Sequence, residues 1–509
     1  MAQALMVQGT SSHVGKSVIV AALCRIFKRQ GINVAPFKAQ NMALNSFITP
    51  EGGEIGRAQA YQAEAAGIPP SVLMNPILLK ANSDTGAQVI VKGRVKANMG
   101  VREYHAFKDE AFKVIEECYR ELASRHDLII IEGAGSPAEI NLKENDLVNM
   151  RTAKMAGARV LIAADIDRGG VFASILGTME ILDPDERGLV AGFIINKFRG
   201  DATLLDSGLE FVRRKTGRPV VGVIPYFKDI YIQEEDGVAL EGARGISGLD
   251  DGAVDVAVLR LGHISNFTDF DPLANEPDVR VRYVRGVEDF GRPDLLIIPG
   301  SKNTVGDLLE LRASGLERKV IEYHRSGGRV AGICGGYQML GRVVHDPYGV
   351  ETANGSVEGM GLLDAETVLL EDKVTAQVEA EGLSRDFGAM RGYEIHMGRT
   401  ALGEGASPLF SITKKSGEPA GYQDGAVNGA GTAWGTYMHG VFDNDLFRRE
   451  VIETIRSGKG SGAAPGINYS YLKEEGLERL ADTVEKNLDM GFIMGLLERK
   501  PLPARRFLI

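Results

Sequence analysis

The sequence predicts an α/β protein built from two doubly wound, mostly parallel sheets, and three observations carry that prediction. Short apolar runs recur along the chain, each followed by glycine or a capping residue and then by a helical pattern. The runs are continuous stretches rich in Val, Ile and Leu, which is typical of parallel strands buried on both faces. Glycine accounts for 63 of the 509 residues, against a usual share of about 7%, as expected for many tight turns between strands and helices.

The apolar runs fall into two series. The runs of the first series, each expected to form a strand, are residues 4–9, 128–135, 160–166, 190–197 and 220–225. Those of the second series are residues 254–261, 279–284, 294–301 and 329–336, followed by 361–370 and 431–442. Because helical patterns separate the runs within each series, each series predicts one sheet with helices on both faces.

Polar, glycine-rich segments divide the chain. Residues 234–254 show no periodicity, and residues 458–466 form a second break ahead of a helical pattern. Such segments are typical of domain boundaries. We therefore expect a first domain over residues 1–240, a second over 252–450, and a C-terminal helical tail over 451–509 that packs on the second domain.

Charge and cysteine content exclude several classes of protein. The 58 Lys and Arg residues against 68 Asp and Glu give a net charge of −10, which argues against nucleic acid or an anionic membrane as a partner. No stretch approaches the roughly 18 apolar residues of a membrane span. The three cysteines, Cys24, Cys118 and Cys334, are too scattered for a disulfide framework or a CxxC metal site. We expect a cytoplasmic protein, and homo-oligomerisation stays open.

A phosphate-binding loop is predicted near the start of the first domain. Residues 9–17 read Gly-Thr-Ser-Ser-His-Val-Gly-Lys-Ser, between an apolar run and a helical pattern. Backbone N–H groups of such a loop cradle phosphate, Lys16 would neutralise its charge, and the Ser17 hydroxyl would reach Mg²⁺. Thr10 stands where the first glycine of the usual motif would be, and a generic glycine turn is the alternative. The loop residues expected at the nucleotide are Gly9, Thr10, Gly15, Lys16 and Ser17.

Polar side chains at other strand ends complete this predicted site. Since the carboxyl ends of parallel strands line the ligand crevice, Glu132 is expected to hold Mg²⁺ together with Ser17. Asn196 would contact the nucleotide through its amide, although an ordinary turn explains its position nearly as well. Lys38 follows the second strand and would bring a further ammonium group, with a plain surface lysine as the alternative.

A nucleophilic cysteine is predicted in the second domain. Cys334 lies in the run Gly-Ile-Cys-Gly-Gly, between an apolar run and a helical pattern. This arrangement is typical of a nucleophile elbow, where a sharp turn exposes the thiol at a helix N-terminus and favours the thiolate. The backbone N–H groups of Gly335 and Gly300 would form the oxyanion hole. His439, at the end of another strand, is the expected base, and His396 is the second choice.

The phosphate loop and the cysteine site together resemble the glutamine-dependent amidotransferases of corrinoid biosynthesis, and most closely the cobyric acid synthase family. The first domain is similar to P-loop proteins of the dethiobiotin synthetase group, and the second to class I glutaminases. The resemblance also rests on four segments, 38–46 (KAQNMALNS), 53–59 (GEIGRAQ), 75–80 (NPILLK) and 391–396 (RGYEIH). It covers nearly the whole chain.

The resemblance implies a two-site enzyme that uses ATP, Mg²⁺, L-glutamine and a corrinoid. Four amidations, at the b, d, e and g carboxylates, would convert (adenosyl)cobyrinic acid a,c-diamide to (adenosyl)cobyric acid. The residues that it would place on the corrinoid side are Lys38, Gln40, Asn41, Asn45 and His396. The alternatives are cobyrinic acid a,c-diamide synthase and an ATPase switch with an inert glutaminase-like domain.

One position departs from the class I pattern. Those glutaminases usually carry a glutamate two residues after the histidine, and here Val441 occupies that position. Cobyric acid synthases lack this third member as well, so the departure agrees with the resemblance. A backbone carbonyl or another carboxylate would have to orient the ring of His439.

Overall fold

A computed structural model describes residues 2–83, 86–227, 253–352, 355–460 and 465–498. The predicted boundary at 234–254 therefore lies almost wholly outside the described residues. Part of the glycine-rich break at 458–466 and the end of the tail, residues 499–509, lie outside them too. Among the described residues, no helix combines the length and the apolarity needed to span a bilayer.

The apolar runs of the first series all form strands. The strands of the first domain are β1 (Gln3–Gly9), β2 (Val34–Phe37), β3 (Gln40–Met42), β4 (Ser46–Ile48), β5 (Glu54–Gly56), β6 (Ile77–Ser83), β7 (Gly86–Val91), β8 (Arg94–Gly100), β9 (Leu128–Glu132), β10 (Arg159–Asp165), β11 (Val190–Phe198) and β12 (Val220–Pro225). The helices are α1 (Lys16–Arg29), α2 (Arg57–Ala66), α3 (Val101–Arg125), α4 (Met150–Ala156), α5 (Val171–Ile181), α6 (Pro184–Leu189) and α7 (Asp206–Thr216).

The central sheet of the first domain is parallel, with the order β12-β11-β10-β1-β9-β2. Strand β1 lies between β9 and β10, so that Val7 pairs with Glu132 and Gly9 with Ala163. Apolar cores fill both faces of the sheet, one beneath α1 and one beneath α3 and α4. The carboxyl ends of these strands therefore meet at the loop between β1 and α1.

A small insertion between β2 and β9 was not foreseen from the sequence. Strands β3, β6, β7 and β8 form a separate sheet, and β4 and β5 form an antiparallel hairpin. Strands β3, β4 and β5 have three residues each, and β6, β7 and β8 are partly polar. They therefore lack the long apolar runs that identified the central strands. The insertion places residues 38–59 between the first domain and the second.

The second domain begins with the strands of the second series. Its strands are β13 (Val254–Leu259), β14 (Ile264–Ser265), β15 (Val279–Val284), β16 (Leu295–Ile298), β17 (Gly300–Ser301), β18 (Arg329–Ile333), β19 (Val343–His345), β20 (Ser356–Glu358), β21 (Ala365–Gly382), β22 (Met390–Leu402), β23 (Ala406–Ser407), β24 (Phe410–Lys415), β25 (Glu418–Asp424), β26 (Ala426–Asn428), β27 (Ala433–Thr436) and β28 (Met438–His439). The helices that follow the first domain are α8 (Asp271–Ala274), α9 (Thr304–Ala313), α10 (Leu316–Arg325), α11 (Gly335–Leu340), α12 (Asp445–Gly458), α13 (Tyr469–Asn487) and α14 (Met490–Glu498).

The central sheet of the second domain has the order β15-β13-β16-β18-β27-β26-β23 and is parallel from β15 to β27. The predicted fold class, two doubly wound and mostly parallel α/β domains, is confirmed. A second, largely antiparallel sheet, with the order β20-β19-β21-β22-β28, was not predicted. Its long strands β21 and β22 contact β4 of the first domain.

The packing of the tail corrects the sequence-based expectation. Helix α12 contributes to the core of the second domain, but α13 and α14 share a core with α1 of the first domain. The buried Arg25 of α1 forms an ion pair with Glu474 of α13 at 2.7 Å. A helical pattern in the sequence carries no information about which surface covers the buried face of the helix.

Candidate active sites

The backbone of the predicted phosphate loop is held in a left-handed turn. Gly15 precedes α1 with φ 96°, a conformation that favours glycine. A Cβ at this position would lie 2.2 Å from Nδ2 of Asn196, which donates a hydrogen bond to the carbonyl of Val14 at 2.8 Å. Asn196 therefore braces the loop from the end of β11, a role that the sequence did not indicate.

Gly9 and Thr10, the first two predicted loop residues, lie where the loop leaves strand β1. The N–H of Thr10 donates to the carbonyl of Ala163 at 2.9 Å, which continues the sheet for one residue. A Cβ on Gly9 would lie 2.7 Å from Cγ2 of Val14 and 2.8 Å from the carbonyl oxygen of Ser11. Gly9 and Thr10 thus fix where the loop leaves the sheet.

A cavity of about 870 Å³ opens over the loop. This volume lies in the range of small-molecule sites, roughly 300–1,000 Å³. Eight predicted site residues line it, Gly15, Lys16, Ser17, Lys38, Gln40, Asn41, Glu132 and Asn196. Oδ1 of Asn196 is buried and has no hydrogen-bond partner among the described residues, so it is available to a group bound in this cavity.

Glu132 is the centre of a hydrogen-bond network on the cavity wall. Its Oε1 accepts from the Ser17 hydroxyl and from Nζ of Lys38, each at 2.8 Å, and its Oε2 accepts from Nε2 of Gln62 at 2.5 Å. Burial alone would raise the pKa of Glu132, but the charge of Lys38 and these hydrogen bonds hold it below its ordinary value. The carboxyl is therefore an anion, and Lys38 is a buried partner of it rather than a surface lysine.

The side chain of Lys16 extends across the phosphate loop, next to the hydrogen-bond network of Glu132. Its side chain is buried, and Nζ donates to the carbonyl of Ser11 at 3.0 Å and to that of Gly135 at 3.2 Å. The ammonium group is thereby fixed between the phosphate loop and the segment that follows Glu132. This is where a loop lysine would meet an incoming phosphate.

Cys334 occupies a strained turn between β18 and α11. Its backbone has φ 51° and ψ −107°, which a residue with a side chain rarely adopts. A Cβ on Gly336 would lie 2.0 Å from the carbonyl oxygen of Ile298, so the helix can begin against β16 only with glycine at that position. The thiol donates to the carbonyl of Ile395 at 3.4 Å. The geometry is that of a nucleophile elbow.

His439 lies beside the thiol and is oriented by a carboxylate. Its Nδ1–H donates to Oδ2 of Asp269 at 2.6 Å, and Asp269 also accepts from the N–H of Gly440 at 3.1 Å. Burial would lower the pKa of His439, but the charge of Asp269 and hydrogen bonds with Asp269 and Cys334 raise it to about 10. Cys334, His439 and Asp269 have the geometry of a nucleophile–base–orienting triad.

Asp269 is the functional residue that sequence reasoning missed. It lies 170 positions before His439, in the run Asn-Phe-Thr-Asp-Phe-Asp, where an aspartate is easily explained as a turn or capping residue. The turn Phe267–Phe270, which contains Asp269, meets the end of β28 in the folded domain. No local signal in the sequence could have identified it.

The two glycines predicted for the oxyanion hole adjoin both reacting groups. A Cβ on Gly335 would lie 3.0 Å from the backbone nitrogen of Ser301, and a Cβ on Gly300 would lie 3.2 Å from Cε1 of His439. The turn at 300–301 therefore lies close to the start of α11, the helix that follows Cys334. Two backbone segments so placed suit an oxyanion that forms at the cysteine.

The residues expected on the corrinoid side do not all lie together. Gln40 and Asn41 line the cavity of the first domain, where Gln40 accepts a hydrogen bond from Tyr104 and Asn41 donates to Gln59. Asn45 accepts from the N–H of Phe267 at the domain interface.

His396 belongs to the neighbourhood of the cysteine instead. It follows Ile395, the acceptor of the thiol, and stacks on Tyr437 with ring centroids 3.8 Å apart. Burial is the main cause that lowers its pKa to about 4. His396 is therefore neutral near pH 7, and His439, paired with Asp269, has the better geometry for a base.

The chain matches the models of two protein families. Residues 5–240 match the CobQ/CobB/MinD/ParA nucleotide binding domain, and residues 255–447 match the CobB/CobQ-like glutamine amidotransferase domain. The two matches coincide with the phosphate-loop site and the cysteine site. They agree with the predicted order of a P-loop domain followed by a glutaminase domain.

Similarity to curated proteins extends over nearly the whole chain. The cobyric acid synthase of Moorella thermoacetica is 52% identical, over 97% of this chain and 98% of that protein. Those of Desulforamulus reducens and Yersinia enterocolitica are 49% and 50% identical, over 98% and 97% of this chain and 100% and 98% of those proteins. With this identity over the full length, the chain belongs to the cobyric acid synthase family.

Proposed function

We propose that the chain catalyses ATP-dependent, glutamine-hydrolysing amidation of corrinoid carboxylates. The substrate is (adenosyl)cobyrinic acid a,c-diamide, and amidation at b, d, e and g yields (adenosyl)cobyric acid. One observation carries the proposal: a cysteine–histidine–aspartate triad and a phosphate-loop cavity lie on one chain of this family. The required partners are L-glutamine, ATP, Mg²⁺ and the corrinoid. With its cysteines unpaired, the enzyme suits the reducing cytoplasm.

The second domain would release ammonia from glutamine. The Cys334 thiolate attacks the side-chain amide carbon, and the N–H groups near Gly300 and Gly335 receive the oxyanion. His439, protonated and held by Asp269, gives its proton to the leaving nitrogen, so ammonia departs and a thioester remains. The neutral imidazole then takes a proton from water, which attacks the thioester and liberates glutamate and the thiolate.

The first domain would activate the corrinoid carboxylate. Lys16 and the loop N–H groups hold the phosphates of ATP, and the carboxylate attacks the terminal phosphorus as ADP leaves. Ammonia then attacks the acyl carbon and displaces phosphate, which gives the amide. Such a transfer needs positioned charge rather than covalent protein chemistry, and the buried Lys16 and Lys38 supply it.

The residues at the loop also fit a magnesium ion. Ser17 and Glu132 present a hydroxyl and a carboxylate that already lie 2.8 Å apart, and oxygen ligands of this kind suit Mg²⁺ bound together with substrate phosphates. The ion would supply neutralisation of phosphate charge. Lys38, which shares the same carboxylate oxygen of Glu132, would remain beside it as a second cation.

The decisive experiment follows the corrinoid by mass spectrometry. The enzyme is incubated with ATP, Mg²⁺, glutamine and cobyrinic acid a,c-diamide, and we expect successive replacement of carboxylates by amides. Cys334→Ala should lose the reaction with glutamine and keep it with ammonium, while Cys118→Ala, which removes a buried thiol of α3, should keep both. A parallel incubation uses cobyrinic acid in place of the a,c-diamide. Amidation of cobyrinic acid at a and c, with no reaction of the a,c-diamide, would show the diamide synthase instead. No amidation from either nitrogen source would refute the proposal.

A further inference from the structure

Two asparagines join the domains directly beside the glutaminase triad. The Oδ1 atom of Asn45, in the first domain, accepts from the N–H of Phe267 at 3.1 Å. In return, Oδ1 of Asn266 accepts from the N–H of Ser46 at 2.9 Å. Asn45 and Asn266 are each about 1% exposed. We call this reciprocal pair of hydrogen bonds, formed by residues 45–46 and 266–267, the asparagine clasp.

The clasp holds the turn that carries the orienting aspartate. Asn266 has φ 53° and ψ 40°, and the short helical turn Phe267–Phe270 that it begins contains Asp269. The N–H of Asp269 donates to the carbonyl of Asn266 at 3.0 Å. Since Asp269 fixes His439 through a 2.6 Å hydrogen bond, a shift of this turn would move the base of the reaction.

The clasp also touches the catalytic ring itself. Nδ2 of Asn266 lies 3.4 Å from Nδ1 and 3.5 Å from Nε2 of His439. Tyr393 stacks on the same imidazole with ring centroids 5.2 Å apart, and its hydroxyl donates to the carbonyl of Ser46 at 3.3 Å. The ring of His439 is thus in contact with Asp269, Asn266 and Tyr393. Asn266 and Tyr393 also form hydrogen bonds with Ser46 of the first domain.

In the first domain, the segment that ends at Asn45 also contributes to the wall of the phosphate-loop cavity. Residues 38–45 run from Lys38, the buried partner of Glu132, through Asn41 to Asn45. Asn41 donates to Oε1 of Gln59 at 3.0 Å, and Nε2 of Gln59 lies 3.4 Å from Oε2 of Glu132. One short segment thus connects the phosphate-loop site with the base of the glutaminase.

We propose that Asn45 and Asn266 are positioning residues of the glutaminase reaction. Through the clasp, the first domain holds Asp269 and His439 in the geometry that releases ammonia. Glutamine hydrolysis then depends on the docked first domain. The inference rests on the proposed function, and it names the residues through which the synthetase domain acts on the glutaminase.

The test measures glutamine hydrolysis by the full chain in Asn45→Ala and Asn266→Gly, because glycine tolerates the positive φ at 266. We expect kcat to fall about 10- to 100-fold, the usual effect of misplacing a catalytic group, with KM for glutamine within twofold. In Asn266→Gly, which changes no residue expected on the corrinoid side, ammonium-dependent amidation should stay within twofold of wild type. Gln377→Ala is the matched control, because it removes another interdomain hydrogen bond, to the carbonyl of Ile48 at 2.9 Å, that is not part of the clasp.

Three results would overturn the inference. They are an unchanged kcat in both clasp variants, an equal loss in Gln377→Ala, and a parallel loss of ammonium-dependent amidation in Asn266→Gly, which would indicate general disruption. The proposed function fails separately, because it requires corrinoid amidation by the wild-type enzyme. Glutamine hydrolysis of the clasp variants can be measured with glutamine alone, whatever acceptor the first domain uses.

Discussion

At the scale of single residues, the chemistry of the second domain depends on which nitrogen of His439 bears a proton. Nδ1 is occupied by Asp269, so Nε2 is the nitrogen left for the thiol and for the leaving group. The fixed carboxylate thus selects the tautomer that can accept a proton from Cys334. Val441, where class I glutaminases usually carry a glutamate, has no part in this arrangement, because Asp269 reaches the ring from another element.

Replacing Asp269 with asparagine should disable the glutaminase without unfolding it. The amide nitrogen of Asn would face Nδ1 as a second donor, and the ring would then carry its proton on Nε2, where it cannot accept one from the thiol. We expect kcat for glutamine hydrolysis to fall about 10²- to 10⁴-fold, with ammonium-dependent amidation retained. Steady-state kinetics with each nitrogen source tests this, and a loss below threefold would exclude Asp269 as the orienting residue.

The same variant should change how stability depends on pH. The pKa of His439 is raised from 6.5 to about 10, so its contribution to stability is complete below pH 6.5. It is lost as pH rises through 10, at up to about 1.4 kcal/mol per pH unit. Asp269→Asn should therefore be much less stable than wild type at pH 6, and the difference should shrink toward pH 10. Urea unfolding at pH 6, 8 and 10 measures this, and a constant difference would contradict it.

At the scale of elements, sequence reasoning succeeded where a pattern is local. The central strands were predicted because parallel strands buried on both faces form continuous runs rich in Val, Ile and Leu, as in β9 and β10. The phosphate loop and Cys334 were predicted because each lies within a few residues of the strand and helix that position it. The role of Asp269 and the bracing role of Asn196 were not predicted. Each depends on a contact between segments that are distant in sequence and meet only in the folded protein.

The tail shows the same limit for a whole helix. Helix α13 has the apolar stripe that predicts burial of one face, but the stripe fits any apolar surface. Arg25 and Arg29 of α1, which pair with Glu474 and Glu478 of α13, select the first domain. These charges are separated by more than 400 positions in the chain, so periodicity within the tail cannot identify them.

The packing of α13 on the first domain can be tested at Leu480. This side chain is fully buried in the core shared with α1, so Leu480→Ala should lower the free energy of unfolding by about 2–5 kcal/mol. Tyr471→Ala, on the same helix but 67% exposed, should change it by less than about 0.5 kcal/mol. Urea unfolding followed by circular dichroism gives both values. Equal effects of the two variants would show that α13 does not pack there.

At the scale of the whole molecule, the two active sites depend on one docked hairpin. Strands β4 and β5 of the first domain lie against β21 and β22 of the second. The hydroxyl of Thr375 donates to the carbonyl of Gly52 at 2.7 Å, and Lys373 pairs with Glu54 at 2.6 Å. Ammonia released at Cys334 has to reach the cavity of the first domain without escaping to solvent. We therefore expect the fraction of the released ammonia that is converted to amide to depend on how closely the two domains pack at this contact.

The dependence of ammonia transfer on the domain contact can be tested at Glu54. Its carboxyl is about 1% exposed and lies 2.9 Å from Nζ of Lys80 and 2.6 Å from Nζ of Lys373. Burial acts to raise the pKa of Glu54, but the two lysines hold it well below its ordinary value. The interface therefore contains a buried anion between two cations, one from each domain, and removal of the anion leaves two like charges facing each other.

Glu54→Gln should loosen the interface and let ammonia escape. An uncompensated buried charge costs about 3–5 kcal/mol, so we expect the domains to separate more readily and the glutamate released per amide formed to exceed the wild-type ratio. Glutamate, free ammonia and corrinoid amide are measured in the same reaction mixture. Glu110→Gln, which removes an exposed partner of Lys96, should leave the ratio unchanged. A wild-type ratio in Glu54→Gln would mean that ammonia transfer does not depend on this contact, because the variant disrupts it while both catalytic sites keep their own residues.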